Sequence, residues 1–351
     1  MEIFERLSEH DHEQIAFWSE PEVGYRGIIA IHDSSLGPAM GGTRFWDYPS
    51  EREAVVDVLR LARGMTYKAA IAGVDLGGGK SVILGDNRTT DREMIFRAHG
   101  RFVESLGGRY IAAEDVGTSV DDMDFVQMET GHVAGLHGRS GDPSPVTALG
   151  AFHALRACAL EVYGDASLAG RHVVVQGVGH VGHHLCGLLA DAGARLTVSD
   201  VDRERVERAR DALGAEVVAV DEVFSVDADI FAPCALGGVI DDRTLPLLEV
   251  DIVAGAANNQ LARPEHAGAL KERGILYAPD YVVNAGGLIN IYGELTGWSR
   301  DRSRARAAGI FETLRRVFDT ARSEAITPAA AADRIAEARI ASVRRLHRSR
   351  V

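Results

Sequence analysis

The chain has 351 residues, 46% hydrophobic and 25% charged, a composition that excludes a fibrous fold and a largely disordered chain. At roughly 100–200 residues per domain, that length implies two domains with a cleft between them. The formal net charge of −13 repels phosphate backbones and anionic lipid, so nucleic acid and membrane are disfavoured as partners and a small-molecule ligand is expected.

The opening Met1-Glu2-Ile3-Phe4-Glu5-Arg6 is acidic and carries no apolar run of signal-peptide length. No later stretch reaches the ~18 apolar residues that span a bilayer, and a cytoplasmic protein is expected. The three cysteines, Cys158, Cys186 and Cys234, are too scattered for a disulfide framework or a CxxC metal site and are read as small core residues.

The first predicted strand is Gly27-Ile28-Ile29-Ala30-Ile31-His32. Ser50 and Glu53 then form a capping-box pattern, and Ala54, Val55, Val58, Leu61, Ala62 and Met65 recur at helical spacing. That helix is predicted to end near Gly64. Gly77-Gly78-Gly79-Lys80-Ser81 invites comparison with a phosphate-binding loop, but Val74 stands where that motif needs glycine, and Ser81-Val82-Ile83-Leu84 reads as strand where the motif needs helix. A nucleotide hydrolase is therefore disfavoured. Arg109-Tyr110-Ile111 predicts a further strand, with Asp115 just beyond it.

Residues 138–145, Gly-Arg-Ser-Gly-Asp-Pro-Ser-Pro, break regular structure and place a domain boundary there, giving domains 1–137 and 138–351. Beyond it, strands at His172–Gln176, Leu196–Ser199, Ile230–Ala232 and Ile252–Ala254 alternate with helical stretches, the pattern of a doubly wound α/β domain with a parallel sheet. A last helix starts at Thr327-Pro328 and ends in the basic cluster Arg344-Arg345-Leu346-His347-Arg348, read as a solvated helix end.

Gly177-Val178-Gly179-His180-Val181-Gly182 matches G-x-G-x-x-G between a strand and a helix, which is the context that gives the pattern meaning. Gly177 would permit the tight turn, Gly179 the approach of backbone N–H groups to a pyrophosphate, and Gly182 close helix–strand packing. Asp200, about twenty residues on, would accept from a ribose hydroxyl and repel a 2′-phosphate, favouring NAD, while Arg203 keeps NADP open. His180, His183 and His184 lack a completing ligand at zinc spacing, and no metal is expected.

Lys80 follows three glycines, and Lys68 precedes it by twelve residues among apolar neighbours. Two such lysines, if close, would depress one pKa and create an amine base, with Asp115 as the matching carboxylate. Read from the residues alone, each is either a catalyst or a surface charge.

The chain resembles the glutamate/leucine/phenylalanine/valine dehydrogenase family over nearly its full length. The matching motifs are Leu36-Gly37-Pro38-Ala39 with Gly41-Gly42, Arg63-Gly64-Met65-Thr66-Tyr67-Lys68, Gly77-Gly78-Gly79-Lys80, Ala113-Glu114-Asp115-Val116-Gly117-Thr118, Ala232-Pro233-Cys234-Ala235, Gly255-Ala256-Ala257-Asn258-Asn259, and Ala278-Pro279-Asp280-Tyr281 with Asn284-Ala285-Gly286-Gly287. The resemblance implies an N-terminal α/β domain for substrate binding and oligomerisation, a C-terminal Rossmann domain whose last helices pack back on the first, and a homo-oligomer. It implies reversible NAD-dependent deamination of an L-amino acid to a 2-oxo acid and ammonia. Lys80 is then the general base and Asp115 the proton carrier for the amine, while Lys68 and Asn259 hold the substrate carboxylate. Thr147, Asn258 and Asn284 join the glycine loop as cofactor residues. The substrate residues Met40, Gly41, Gly42, Ala113, Leu288 and Ile291 suit a branched-chain side chain, leucine first. Glutamate dehydrogenases place a lysine where Met40 stands. Met40 and the run Ala285–Asn290 with Tyr292 also resemble tryptophan dehydrogenases, so an aromatic substrate is the alternative. A catalytically inactive NAD-binding sensor is the alternative of another class.

Overall fold

The computed structural model describes residues 2–139 and 142–348; of the breaker-rich stretch 138–145, Ser140 and Gly141 lie outside the described residues, as do the side chains of His347 and Arg348 in the basic cluster. The chain divides into two compact units, one of Met1–Asp142, Ile291–Trp298 and Ala336–Val351, the other of Pro143–Asn290 and Ser299–Ile335.

The first unit runs α1 (Ile3–Glu9), β1 (Gln14–Glu20), β2 (Tyr25–Asp33), β3 (Ala39–Trp46), α2 (Glu51–Ala72), β4 (Gly77–Leu84), α3 (Glu93–Ser105), β5 (Tyr110–Glu114) and α4 (Val120–Gln127). Its sheet has the order β1-β2-β4-β3-β5. β1, β2 and β4 pair antiparallel, whereas β3 lies parallel to both β4 and β5. The unbroken apolar run in β2 reflects burial on both faces. Ile28, Ala30, Val82 and Leu84 pack against Ala54, Val55, Val58 and Leu59 of α2, while Ile29, Ile31 and Ile83 belong to the core that holds Phe96 and Phe102 of α3.

Helix α2 does not end near Gly64. It continues to Ala72 and is capped by Gly73 at φ +70°, after starting at Ser50, whose side chain accepts from the Glu53 N–H. A glycine inside a helix costs only about 1 kcal/mol, and the next two turns bury Thr66, Tyr67, Ala69, Ala70 and Ile71, which outweighs it. The three glycines before Lys80 likewise lie within a strand, since β4 begins at Gly77.

The second unit contains α5 (Ser144–Tyr163), β6 (His172–Gln176), α6 (His180–Asp191), β7 (Arg195–Ser199), α7 (Arg203–Leu213), β8 (Glu216–Val217), β9 (Ile230–Pro233), β10 (Ile252–Val253), α8 (His266–Glu272), β11 (Leu276–Tyr277), α9 (Asp280–Val283), α10 (Gly286–Thr296), α11 (Arg300–Ala308), α12 (Ile310–Ser323) and α13 (Pro328–Arg348). Helices α10 and α13 run on into segments of the first unit. The sheet order is β11-β10-β9-β6-β7-β8, with every pair parallel, as crossover helices require. β6 sits in the interior, and the strand order reverses beside it. Ligands of open α/β sheets bind at that switch point, outside the carboxyl ends of the strands.

The end of α13 is not simply a solvated face. Arg344 donates to the carboxylate of Asp33, which is buried, and to Ser35, and Arg339 donates to Asp75 and to three carbonyls at the end of α2. Among the described residues no helix is long and apolar enough to cross a membrane.

Candidate active site

Lys80 stands on β4 and Asp115 just past β5, on strands that are not neighbours, because β3 lies between them. Their side chains meet above Gly42 of β3, with Lys80 Nζ 3.0 Å from Asp115 Oδ2. A Cβ on Gly42 would lie 3.2 Å from Lys80 Nζ, 2.7 Å from Asp115 Cβ and 2.6 Å from the Glu114 carbonyl oxygen. The glycine therefore keeps open the space in which the pair forms. Gly41 presses on the next strand instead, where a Cβ would fall 1.8 Å from the Gly79 carbonyl oxygen.

The neighbours of this pair in sequence turn to the other face of the sheet and form a buried polar network. Ser81 Oγ donates to Thr43 Oγ1 at 3.0 Å, Tyr110 donates to the Gly41 carbonyl at 2.7 Å, and His99 Nε2 lies 3.2 Å from Thr43 Oγ1 with its Nδ1 2.7 Å from the Tyr25 hydroxyl. Burial drives His99 down to about 3, so the network holds a neutral imidazole and ties β3 and β4 together beneath the reactive pair.

Lys80 is only 4% exposed. Burial is the largest influence on its amine and lowers its pKa; the Asp115 carboxylate pulls it back up and the Arg44 guanidinium pushes it down again, leaving it below the ordinary lysine value. For Asp115, burial alone would raise the pKa, but Lys80 and Arg44 outweigh it and hold the carboxyl below its usual range. A like charge acting on Lys80 comes from Arg44, on β3. Lys68 is half-buried on α2 between Tyr67 and Ala69.

We expect Gly42→Ala to lower kcat roughly 10²-fold, because its methyl group displaces Lys80 and Asp115 by a fraction of an ångström to about an ångström. Steady-state kinetics beside a thermal melt checks this; near-normal turnover would mean that the pair tolerates the shift.

Of the predicted side-chain pocket, Met40 (1% exposed), Ala113 (3%) and Leu288 (6%) are buried and Ile291 is half-buried. Gly42 pairs with Ala113 across β3 and β5, while Leu288 and Ile291 lie three apart on α10 and share one helix face. All four are apolar.

The dinucleotide motif folds in the second unit as the spacing implies. Gly177 has φ +93°, and a Cβ there would crowd Ala235 at 2.7 Å; one on Gly182 would lie 2.0 Å from the Gly177 carbonyl oxygen. Gly179 caps α6 without a capping side chain, so the first-turn N–H groups have no side-chain acceptor at the cap. This is the arrangement that receives a pyrophosphate. Asp200 holds the loop: its Oδ2 accepts from the Val178 N–H at 2.8 Å and its Oδ1 from the Asp202 N–H at 2.9 Å. Arg203, raised from sequence as the nearby cation, turns away to Glu207 and is 90% exposed. Arg205 is the cation beside the loop, with Nη1 3.3 Å from where a Cβ on Gly179 would be.

Asn284 Nδ2 donates to Asn258 Oδ1 at 2.7 Å and to the Ala256 carbonyl at 3.2 Å, while its own Oδ1 is buried without a partner among the described residues. An orphaned amide oxygen beside Asn258 suits a ligand with a hydrogen-bond donor, as a nicotinamide carboxamide has. Asn259 adopts φ +52°, a left-handed backbone that asparagine tolerates. Thr147 Oγ1 donates to the Pro143 carbonyl at 2.9 Å and abuts Gly287. Cys158 and Cys186 are buried, and Cys234 is half-buried beside Gly182, its thiol pushed up to about 11 by burial.

The family description "Glu/Leu/Phe/Val dehydrogenase, dimerisation domain" matches residues 12–132, and "Glutamate/Leucine/Phenylalanine/Valine dehydrogenase" matches residues 196–350. The chain is 51% identical to leucine dehydrogenase of Geobacillus stearothermophilus over 98% of its own length and 95% of that protein's. The chain belongs to the glutamate/leucine/phenylalanine/valine dehydrogenase family. It is also 49% identical to valine dehydrogenase of Streptomyces virginiae, covering 95% of each chain. Among solved structures, L-tryptophan dehydrogenase from Nostoc punctiforme superposes with a TM-score of 0.86 at 44% identity, covering 97% of this chain and 99% of that one. The family is NAD(P)-dependent.

Sequence reasoning missed Arg44, whose Nε lies 3.0 Å from Asp115 Oδ2 and whose Nη1 lies 2.8 Å from Asp57 Oδ2. A signal was present: Arg44 is two residues beyond Gly42 on one strand and therefore on the same face.

Proposed function

We propose that this protein is an NAD-dependent L-amino acid dehydrogenase that converts a branched-chain amino acid, leucine first, to its 2-oxo acid and ammonia, in the cytoplasm and as a homo-oligomer. The observation that carries it is the buried Lys80–Asp115 pair at 3.0 Å over Gly42. When bound, the nicotinamide supplies a hydride acceptor for the substrate Cα. The chain's own groups do the rest. Lys68 binds the α-carboxylate and orients Cα. Asp115 takes a proton from the substrate ammonium, which frees the nitrogen lone pair to form an imine as the Cα–H bond breaks. The neutral Lys80 amine removes a proton from the water that attacks the imine carbon, and burial, which lowers its pKa, makes that neutral form available. Asp115 returns its proton to nitrogen and, as the carbinolamine C–N bond breaks, takes up the hydroxyl proton, so that ammonia and the 2-oxo acid are released and the protons held by Lys80 and Asp115 pass to solvent.

The glycine loop, Thr147, Asn258 and Asn284 are the groups that would hold the dinucleotide, with Asp200 at its ribose. Because Asp200 is anionic and Arg203 is turned outward, kcat/KM for NAD is expected to exceed that for NADP by at least about tenfold. Equal use of both cofactors in the same assay would assign a 2′-phosphate contact to Arg205.

The test of the main reading is NADH formation with each of twenty amino acids. Leucine should give the highest kcat/KM, with isoleucine and valine within roughly 200-fold, since one methylene in an apolar pocket is worth only ~1–3 kcal/mol. Met40 favours a second reading, because a buried methionine is flexible enough to admit a ring and the similar Nostoc punctiforme enzyme is named for tryptophan. Higher kcat/KM for phenylalanine or tryptophan than for leucine would establish that reading instead. No turnover with any amino acid, together with measurable NAD binding, would leave only a sensor.

A further inference from the structure

Arg44 and Lys80 bind the same oxygen of Asp115. Arg44 Nε and Lys80 Nζ each lie 3.0 Å from Oδ2. Arg44 is itself fixed from behind. Its Nη1 is 2.8 Å from Asp57 Oδ2, the same oxygen accepts from the Tyr48 hydroxyl at 2.8 Å, and Asp57 Oδ1 accepts from Arg60 at 2.8 Å. All three of Arg44, Asp57 and Asp115 are about four-fifths buried, with side-chain exposures of 21%, 18% and 20%.

We propose that Arg44 is a positioning residue for the deamination: anchored by Asp57 and Tyr48, it draws Asp115 Oδ2 to one side so that Oδ1 is presented to the substrate nitrogen and Lys80 is not captured by both carboxylate oxygens. This rests on the amino acid dehydrogenase reading above. A guanidinium can do this where an ammonium cannot, because its planar fork contacts Asp57 and Asp115 at once along two fixed directions. The same charge disfavours protonation of Lys80. The charged and titratable groups facing this cluster include Asp57 and Arg60 from α2, Tyr48 beyond β3, Lys80 from β4, Tyr110 from β5 and Asp115 beyond β5. Among them only Arg44 places a positive charge against Asp115 from β3.

Removing that charge should make Lys80 harder to deprotonate, so the limb governed by its neutral form moves to higher pH. For Arg44→Gln we expect kcat with leucine to fall roughly 10- to 100-fold with KM changed less than about threefold, and the alkaline limb to rise by about one pH unit. Arg44→Lys keeps the charge but not the fork, so it should leave the limb in place while recovering only part of kcat. The titration of Lys80 is also read without turnover, by trace acetylation with acetic anhydride between pH 6 and 10.5 and mass spectrometry of the Lys80 peptide. An upward shift of that titration in Arg44→Gln, together with the loss of kcat, supports the proposal; the same shift with no amino acid turned over by the wild type would overturn the dehydrogenase reading, and with it the role in deamination, while leaving the coupling of Arg44 to Lys80. Turnover in the wild type with neither limb nor acetylation profile shifted, and kcat near normal, overturns the proposal and leaves the dehydrogenase reading standing. If Arg44→Gln does not fold, Tyr48→Phe and Arg44→Lys carry the test: full wild-type kcat in both would overturn it.

Discussion

Lys80→Ala is expected to lower kcat for leucine oxidation by roughly 10²–10⁴-fold, the range for removal of a general base, in a protein that still folds. Folding should survive because the change does not leave a buried charge alone: Asp115 keeps its ion pair to Arg44 at 3.0 Å, and the β4 backbone retains its pairing with β2 and β3. Thermal melts of both proteins beside steady-state kinetics check the two halves of this statement, and normal turnover in the folded variant would remove Lys80 from the chemistry. The wild-type pH profile carries the same assignment. A base acts in its neutral form, so the rate of deamination should climb as pH rises through the Lys80 pKa. Burial lowers that pKa, Asp115 raises it and Arg44 lowers it again, for a net position below the ordinary lysine value, so the rise belongs short of where free lysine titrates. Activity independent of pH between 7 and 10 would contradict it.

Leucine should be preferred to glutamate by about 10³-fold or more in kcat/KM. On the proposed reading the extra carboxylate of glutamate would enter beside Met40 and Ala113, which are apolar and 1% and 3% exposed. Burying a charge without a partner costs several kcal/mol, and ~4 kcal/mol corresponds to about 10³. The measurement is competition between the two amino acids for the same enzyme and cofactor, and a ratio near ten would mean that a cation reaches the side chain. Met40→Lys is the complementary variant. It should raise kcat/KM for glutamate and lower it for leucine, because an ammonium in that position pairs with the carboxylate and is itself desolvated against an aliphatic chain.

Local pattern was sufficient for several parts of this protein. Strands β2, β6 and β7 and the start of α2 follow from apolar runs and a serine cap, since periodicity and capping act over a few residues. The turn of the glycine loop was legible for the same reason: Gly177 and Gly182 meet their steric constraints within one turn and the start of one helix. Chain-wide motifs were enough for the family. Tertiary structure decided the rest. Gly64 looked like a helix end until the burial of Tyr67 and Ile71 carried α2 onward to Ala72. Arg203 looked like the cation of the cofactor loop, yet the turn of α7 sends it to Glu207 and brings Arg205 to Gly179. Most of all, Lys80 and Asp115 are partners only because β3 inserts between β4 and β5, a strand order that no local pattern encodes. Charges distant in sequence acquire shifted pKa values only through shared burial, and burial is a property of the assembled sheet and helices: Arg44 and Asp57 became part of the pair when β3 and α2 packed beside it.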